Sequence, residues 1–246
     1  MAVFKLLRQS PWSARIGMAM IGLNIIAAAL TFTPWLPYTQ TEVVGDVWLE
    51  ASRENLLGTD HLGRDLFTRL MWGARNTIFI ALITTALAFV LGIVCGFFAA
   101  TLGGWADQIL SRIIDILMAF PTLIFALIAL SVLGTSITAL VLVIALLEST
   151  RVYRLSRAVA MNIEVMEYVE AARLRGEGIW WIMRREILPN AMPPLVAEFG
   201  LRFCFIFLFI AALSFLGLGI QPPAADWGGM VKENAGAITF GILTPL

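Results

Sequence analysis

Glu198 and Arg202 stand four residues apart, Glu148 and Arg151 three apart, and Arg112 precedes Asp115 by three. On a helix such spacings set opposite charges side by side. Each pair lies in or beside a long apolar run, where a lone charge would mark a proton or ion pathway. Paired near a helix end, the same side chains neutralise one another and snorkel towards water, the reading favoured for all three. The set of buried acids that a proton-driven pump needs is missing. A hydrolase inside a membrane needs serine with histidine, or two aspartates, at membrane depth. His61 is the only histidine and lies in a polar segment, and Asp115 stands alone. One imidazole without partners makes a poor metal site, so His61 reads as a cap or a packing residue and no metal centre is expected. Cys95 and Cys204 lie in apolar runs without CxxC spacing and read as packed hydrophobes. No GxxxxGK[ST] loop occurs to cradle a nucleotide, so the chain is expected to have no catalytic residues and no cofactor of its own.

The elements carrying these residues must be membrane helices. Of 246 residues, 59% are apolar and 14% charged, and the mean hydropathy is +0.86. A soluble fold could not hide that much apolar surface. Seventeen basic and seventeen acidic residues cancel, which removes the basic field that nucleic acid would require. A helix needs about twenty apolar residues to cross a bilayer. Five stretches meet or approach that length: 16–35, 77–102, 113–133, 137–153 and 194–217. The first follows Lys5, Arg8 and Arg15 and ends at Pro34, Trp35 and Tyr38, an interfacial set. It is long for a signal peptide and lacks a small-x-small cleavage site, so it reads as a retained helix. With the N-terminus in the cytoplasm, inner segments hold eleven basic residues against five in outer segments, as the positive-inside rule requires. Five spans leave the C-terminus outside. Residues 235–246 turn apolar again, which reads as a short re-entrant piece or the beginning of a sixth helix, the second being favoured.

Two segments do not span. Residues 36–75 form a polar outer segment punctuated by Gly58 and Gly63. Residues 154–193 form a cytoplasmic insertion too long for a simple connection. From 154 to 175 the insertion lacks Pro and Gly and predicts one helix, with Glu164, Glu167 and Glu170 as one acidic stripe. Gly176-Glu177-Gly178 breaks it, and a second amphipathic run follows until Pro189 stops it. Two readings of this helix–glycine–helix object stand: a solvated charged face, or a docking surface for a cytosolic partner.

Particular residues add a resemblance. Glu170-Ala171-Ala172, then Gly176, then Leu188-Pro189 resemble the E-A-A-x₃-G-x₉-I-x-L-P motif of importer-type ATP-binding cassette (ABC) permeases. Position 186 departs from it, with Glu186 where the motif has Ile; Ile187 can supply the apolar contact one residue later. Outside the membrane, Gly58-Thr59-Asp60-His61-Leu62-Gly63-Arg64-Asp65 resembles the GTDxxGRD signature of C-type permeases of dipeptide, oligopeptide and nickel importers. Asp115-Ile116-Leu117 with Ala119-Phe120-Pro121, and 214–223 (SFLGLGIQPP) followed by Trp227-Gly228, agree with the same family in order.

The resemblance implies an all-α polytopic fold, the transmembrane domain of a type I ABC importer, with a sixth helix beyond the five visible here. It implies residues 1–75 as an N-terminal helix plus extracytoplasmic segment, and 76–246 as the transmembrane domain with coupling segment 154–193. Glu170, Ala171, Ala172, Gly176, Leu188 and Pro189 would couple to an ATPase. Gly58, Thr59, Asp60, Gly63, Arg64 and Asp65 would either tie the outer segment down through local ion pairs or receive a substrate-binding protein. Implied partners are a second homologous permease, two cytosolic ATP-binding subunits that carry the ATP and Mg, an extracytoplasmic substrate-binding protein and the lipid bilayer. The implied setting is a bacterial inner membrane and the implied cargo short peptides, with a nickel complex as alternative. No motif marks the residues that touch cargo.

Overall fold

The computed structural model describes residues 11–241, and side chains there except 238–240. Lys5, Arg8 and residues 242–246 of the apolar tail lie outside the described residues. The chain is all-α. Among the described residues, extended pairing is limited to two isolated bridges, Val43 with Arg64 and Thr59 with Asp65. The helices are α1 (Trp12–Leu30), α2 (Leu66–Leu102), α3 (Gly104–Ala119), α4 (Thr122–Leu133), α5 (Ile137–Glu164), α6 (Glu167–Leu174), α7 (Ile179–Ile182), α8 (Leu188–Phe215) and α9 (Trp227–Asn234). A π-helical turn, Met183–Ile187, joins α7 to α8, and a 3₁₀ turn, Ala235–Phe240, follows α9.

The chain divides into two compact units. The first holds residues up to Ile78 and from Ile220 onward. Its helix α1 is apolar from Ile16 onward except for Asn24 and buries none of its residues within the chain, so its surface is suited to lipid or another subunit. Asp226 caps α9 by accepting from the Gly229 N–H at 3.1 Å. Trp227 donates its indole N–H to the Leu70 carbonyl at 3.0 Å, and Asn76 donates to the Ala225 carbonyl at 2.8 Å. These bonds fasten α9 and the segment before it onto the start of α2.

The second unit, Phe79–Gly219, holds the remaining helices. Within it α2 packs closely against α5, where Gly92 and Gly96 allow the backbones to meet. A Cβ on Gly92 would stand 2.6 Å from the Val152 Cβ and 2.8 Å from the Ser149 carbonyl. Ser156 donates its hydroxyl to the Gly92 carbonyl at 2.9 Å across the same seam. This is small-xxx-small packing, by which membrane helices associate without a hydrophobic driving force between them. At one end of the seam Phe97, Ala160, Ile163, Val169, Ala172, Ile182, Met183 and Ile187 form a closed apolar cluster with Ala191 and Leu195.

Three expectations need correction. The stretch 113–133 is not one helix: α3 and α4 meet at 89° about Phe120-Pro121. Pro121 has no N–H to give and holds Phe120 extended (ψ 138°), so the helix cannot pass through. The stretch 154–175 is two helices, broken at Val165-Met166 with no Pro or Gly. Burial of Ile163 and Val169 in one cluster turns the chain back there. The acidic stripe is split accordingly, and Glu164 instead faces Arg173 of α6. Nor does Pro189 end the second amphipathic run. The π turn ahead of it replaces α-type bonds with wider ones, so the missing proline N–H is absorbed and the helix continues to Phe215. Gly200 and the pair Pro193-Pro194 also lie inside α8.

Candidate functional site

The segment 167–189 folds into an elbow with one face pinned and the other open. Helix α6 ends in a Schellman motif: the Gly176 N–H reaches the Arg173 carbonyl at 2.9 Å and the Glu177 N–H reaches that of Ala172 at 3.2 Å. Gly176 sits at φ +82°, in the left-handed region the sequence assigned to it. Acidic Glu167 and Glu170 occupy the first turn and Arg173 the last, each favourable to the helix dipole. Val169, Ala172, Ile182 and Ile187 are buried against α5 and α8. Glu170, Ala171, Leu174 and Arg175 point outward, Leu174 at 83% exposure. Of the motif residues, Ala172 therefore packs inward, Leu188 is half-buried, and Glu170, Ala171, Gly176 and Pro189 lie open. The departing Glu186 lies 4.0 Å from Arg175, and Ile187, wholly buried, fills the apolar place beside it.

The segment with Gly58, Thr59, Asp60, Gly63, Arg64 and Asp65 is folded around its own charges. The Asp60 Oδ1 accepts from the backbone N–H groups of Leu62 (2.8 Å) and Arg64 (3.0 Å), fixing the turn that Gly63 closes at φ +75°. Its Oδ2 meets Nε of Arg64 at 2.7 Å and Nε of Arg69 at 3.3 Å. Both arginines also reach Glu233 of α9, at 3.1 and 2.7 Å. Asp65 caps α2 by accepting from the Thr68 N–H at 2.8 Å, and Thr59 donates to the Asp46 carbonyl at 2.6 Å. Gly58, at φ +74°, is buried beside them. All four ionised side chains of 60–69 are nearly solvent-free, so they bind the segment together and are not themselves offered to solvent. Glu233 was missed in sequence because its partners lie 164 and 169 residues away.

The carboxylates of Asp60 and Glu233 and the His61 imidazole come within 4.8 Å of one another, the geometry of a cation site. Two guanidinium groups already occupy and neutralise both carboxylates, which leaves the cluster unsuited to a metal ion. Removing one charge from this network leaves a buried arginine short of a partner. Glu233→Gln is expected to cost about 1–3 kcal/mol, read as a lower melting temperature of the detergent-solubilised protein.

At mid-helix the structure revises the ion pairs. Asp115 pairs with Arg154 of α5 at 2.7 Å, not with Arg112. Glu148 is 3.7 Å from Arg151, as the spacing predicts, but also 3.5 Å from Arg202 of α8. Arg202 in turn holds Glu198 at 2.5 Å. Nearer the start of α3, Asp107 grips Arg157 by two contacts, and Ser111 shares a 2.9 Å hydrogen bond with Tyr153. The α3–α5 register is thus set by polar pairs. With 1.5 Å per residue, Glu148 and Arg202 lie roughly 15 Å or more from either end of their helices. Glu148 is buried.

Residues 92–245 match the family model described as binding-protein-dependent transport system inner membrane component. The di/tripeptide transport system permease protein DppC of Pseudomonas aeruginosa is 38% identical over 89% of this chain and 74% of its own length. The probable D,D-dipeptide transport system permease protein DdpC of Escherichia coli is 32% identical over 93% and 76%. The nickel transport system permease protein NikC of the same organism is 35% identical over 91% and 81%. Among solved structures, the MetNI methionine ABC transporter in an inward-facing conformation aligns with a TM-score of 0.58 at 19% identity, covering 72% of this chain and 84% of that one. That likeness bears on the fold.

Proposed function

Because this chain belongs to the family of binding-protein-dependent transport system inner membrane components, we propose that it is one transmembrane subunit of an ATP-driven importer of di- and oligopeptides. The peptide cargo rests on relatives named for dipeptide and di/tripeptide transport. A nickel permease of comparable identity keeps the metal complex as the alternative cargo. No observation on this chain favours it, since the carboxylates beside His61 are held by Arg64 and Arg69.

The observation that carries the coupling role is the two-faced elbow. Its inner face is continuous with the apolar cluster of α2, α5 and α8, so a push on the elbow is passed to membrane helices rather than absorbed. Its outer face presents Glu170, Ala171 and Leu174, a small patch with an apolar centre that a protein partner can cover. The ATP and Mg belong to two separate cytosolic subunits seated there. A second homologous permease completes the pathway, because helices from one chain only half enclose it. A substrate-binding protein delivers cargo on the other side, against a surface that the Asp60–Arg64–Arg69–Glu233 network holds in shape. Nucleotide-driven closure of the ATPases moves the elbow and rocks the helices joined to it, in the manner of alternating access. The chain itself performs transport, not catalysis.

Co-purification tests the assembly. Tagged chain is expected to bring down an ATPase and a second permease, and scrambling residues 168–189 to release the ATPase while the permease pair persists. Retention of the ATPase by the scrambled chain overturns the coupling role. Orientation is tested separately, with Cys95 and Cys204 replaced. Leu62→Cys is expected to react with impermeant thiol reagents once the outer barrier is opened, and Gly178→Cys only after the inner face is exposed. Both positions are exposed in the structure, and reversed labelling places the N-terminus outside.

A further inference from the structure

The elbow and the outer network leave one group of charges without a role: those on the open faces of α3 and α5. Arg151 is the midpoint of α5, about 20 Å from either end, and Arg154 is one turn further on. A hydrocarbon core of about 30 Å that covers the apolar beginning of α5 takes in both. Their side chains are nevertheless 42% and 54% exposed. Asp115, bonded to Arg154, is equally open, and Arg112 lies on the same helix one turn away, exposed and without an ion pair among the described residues. Facing hydrocarbon, each such charge would cost at least about 2.5–3.5 kcal/mol on insertion scales. The two exposed residues in the turns just before Arg151, Leu142 and Leu146, are apolar. One helix therefore turns Leu142 and Leu146 outward before its midpoint and Arg151 and Arg154 outward at and just beyond it.

The geometry points to this charged surface as part of the water-filled path through the membrane, where Arg151 and Arg112 hold the carboxylate of the solute in transit. This rests on the peptide reading for the identity of the solute. Charge complementarity carries it. Arg154 is spent on Asp115 at 2.7 Å, whereas Arg151 has only Glu148 at 3.7 Å, and Glu148 is shared with Arg202. Beside the closed Arg154–Asp115 pair the surface keeps two under-used guanidinium groups, an arrangement complementary to a carboxylate. Contact at 3.7 Å is loose enough to open for a transient guest, as conduction requires.

Two measurements test it in vesicles holding the complete transporter. In a background with Cys95 and Cys204 replaced, Arg151→Cys is expected to react with a permanently charged methanethiosulfonate about tenfold or more faster than Leu142→Cys, because thiolate chemistry needs water. Equal or slower reaction places Arg151 against lipid, including a lipid phosphate, or against protein, and overturns the path. Uptake of dialanine and of its C-terminal amide is then compared. Loss of a charge-assisted contact reads as about tenfold or more. Arg151→Gln is expected to lower dialanine uptake by that factor and amide uptake far less, with Arg151→Lys restoring most of it. Equal losses for both solutes, or none, overturn the carboxylate role. Wild-type vesicles that import neither solute overturn the peptide reading, while the labelling contrast still decides whether the surface faces water.

Discussion

Gly96→Leu is expected to abolish accumulation of folded protein, and Gly96→Ala to lower its melting temperature sharply. A Cβ at this position would lie 2.9 Å from the Tyr153 carbonyl and 2.9 Å from the Arg157 backbone N, besides meeting the Ser156 hydroxyl. The obstacles are mostly main chain and cannot rotate away. Helices α2 and α5 would have to separate, breaking the Ser156–Gly92 bond and opening the cluster around Phe97 and Ala160. Overpacking of a filled interior costs about 1–3 kcal/mol, and more where backbone must shift, so a leucine should exceed what a marginally stable chain tolerates. Gly22, in contrast, has nothing within 4 Å of a built Cβ. Gly22→Ala should leave the melting temperature unchanged, and a comparable loss there would mean that α1 is packed against a partner.

Gly176→Val is expected to reduce ATP-driven uptake at least about tenfold while leaving membrane insertion and protein level near normal. A β-branched residue forced to φ +82° costs about 1–2 kcal/mol, enough to unwind the Schellman end of α6 but not the helices behind it. No atom stands within 4 Å of a built Cβ there, so the defect is conformational and not steric. That separates it from Gly96 and supplies a control: Gly176→Asn, which tolerates the left-handed region, should keep most of the activity. Glu170→Lys should fail as Gly176→Val does for a different reason, by placing a cation in the first turn of α6 and on the open face. ATP hydrolysis and uptake measured together on reconstituted transporter decide the point. Normal coupling in both variants would remove the elbow from the mechanism.

What could be read in advance depended on how far apart the interacting residues lie along the chain. Gly176 announced its own conformation, because a glycine after a run without Gly or Pro has few other reasons to be there. The caps at Asp65 and Asp226 are equally local. Pro121 is visible in the sequence but lies inside a stretch that reads as one span, since hydropathy averages over a break of only two residues, Phe120 and Pro121. Pro189 erred the other way: proline usually stops a helix, and only the preceding π turn, which no residue type encodes, lets it pass. The break at Val165-Met166 has no local signal, being imposed by the cluster that Ile163 and Val169 share. The membrane-depth pairs were read as neighbours on one helix, but Asp115 and Glu148 take their closer partners from other helices, 39 and 54 residues further along. Family blocks located the outer segment without showing that Glu233, far away in sequence, completes its charge network.

The π turn at Met183–Ile187 also sets an angular phase. A π turn holds one residue more than the α turn it replaces, and each residue of an α-helix advances the chain by about 100°. Everything before Met183 is therefore rotated by about that angle relative to an uninterrupted helix leading into α8. Excising any one residue from 183–187 would restore regular winding while preserving hydrophobicity and nearly preserving length. The cost would be a twist that swings Ile182 out of the apolar cluster and carries Trp180 and Trp181 to a new azimuth. Single-residue length changes in this turn should consequently be far more damaging than most substitutions within it, which gives the segment a fixed length for a reason that no side chain records.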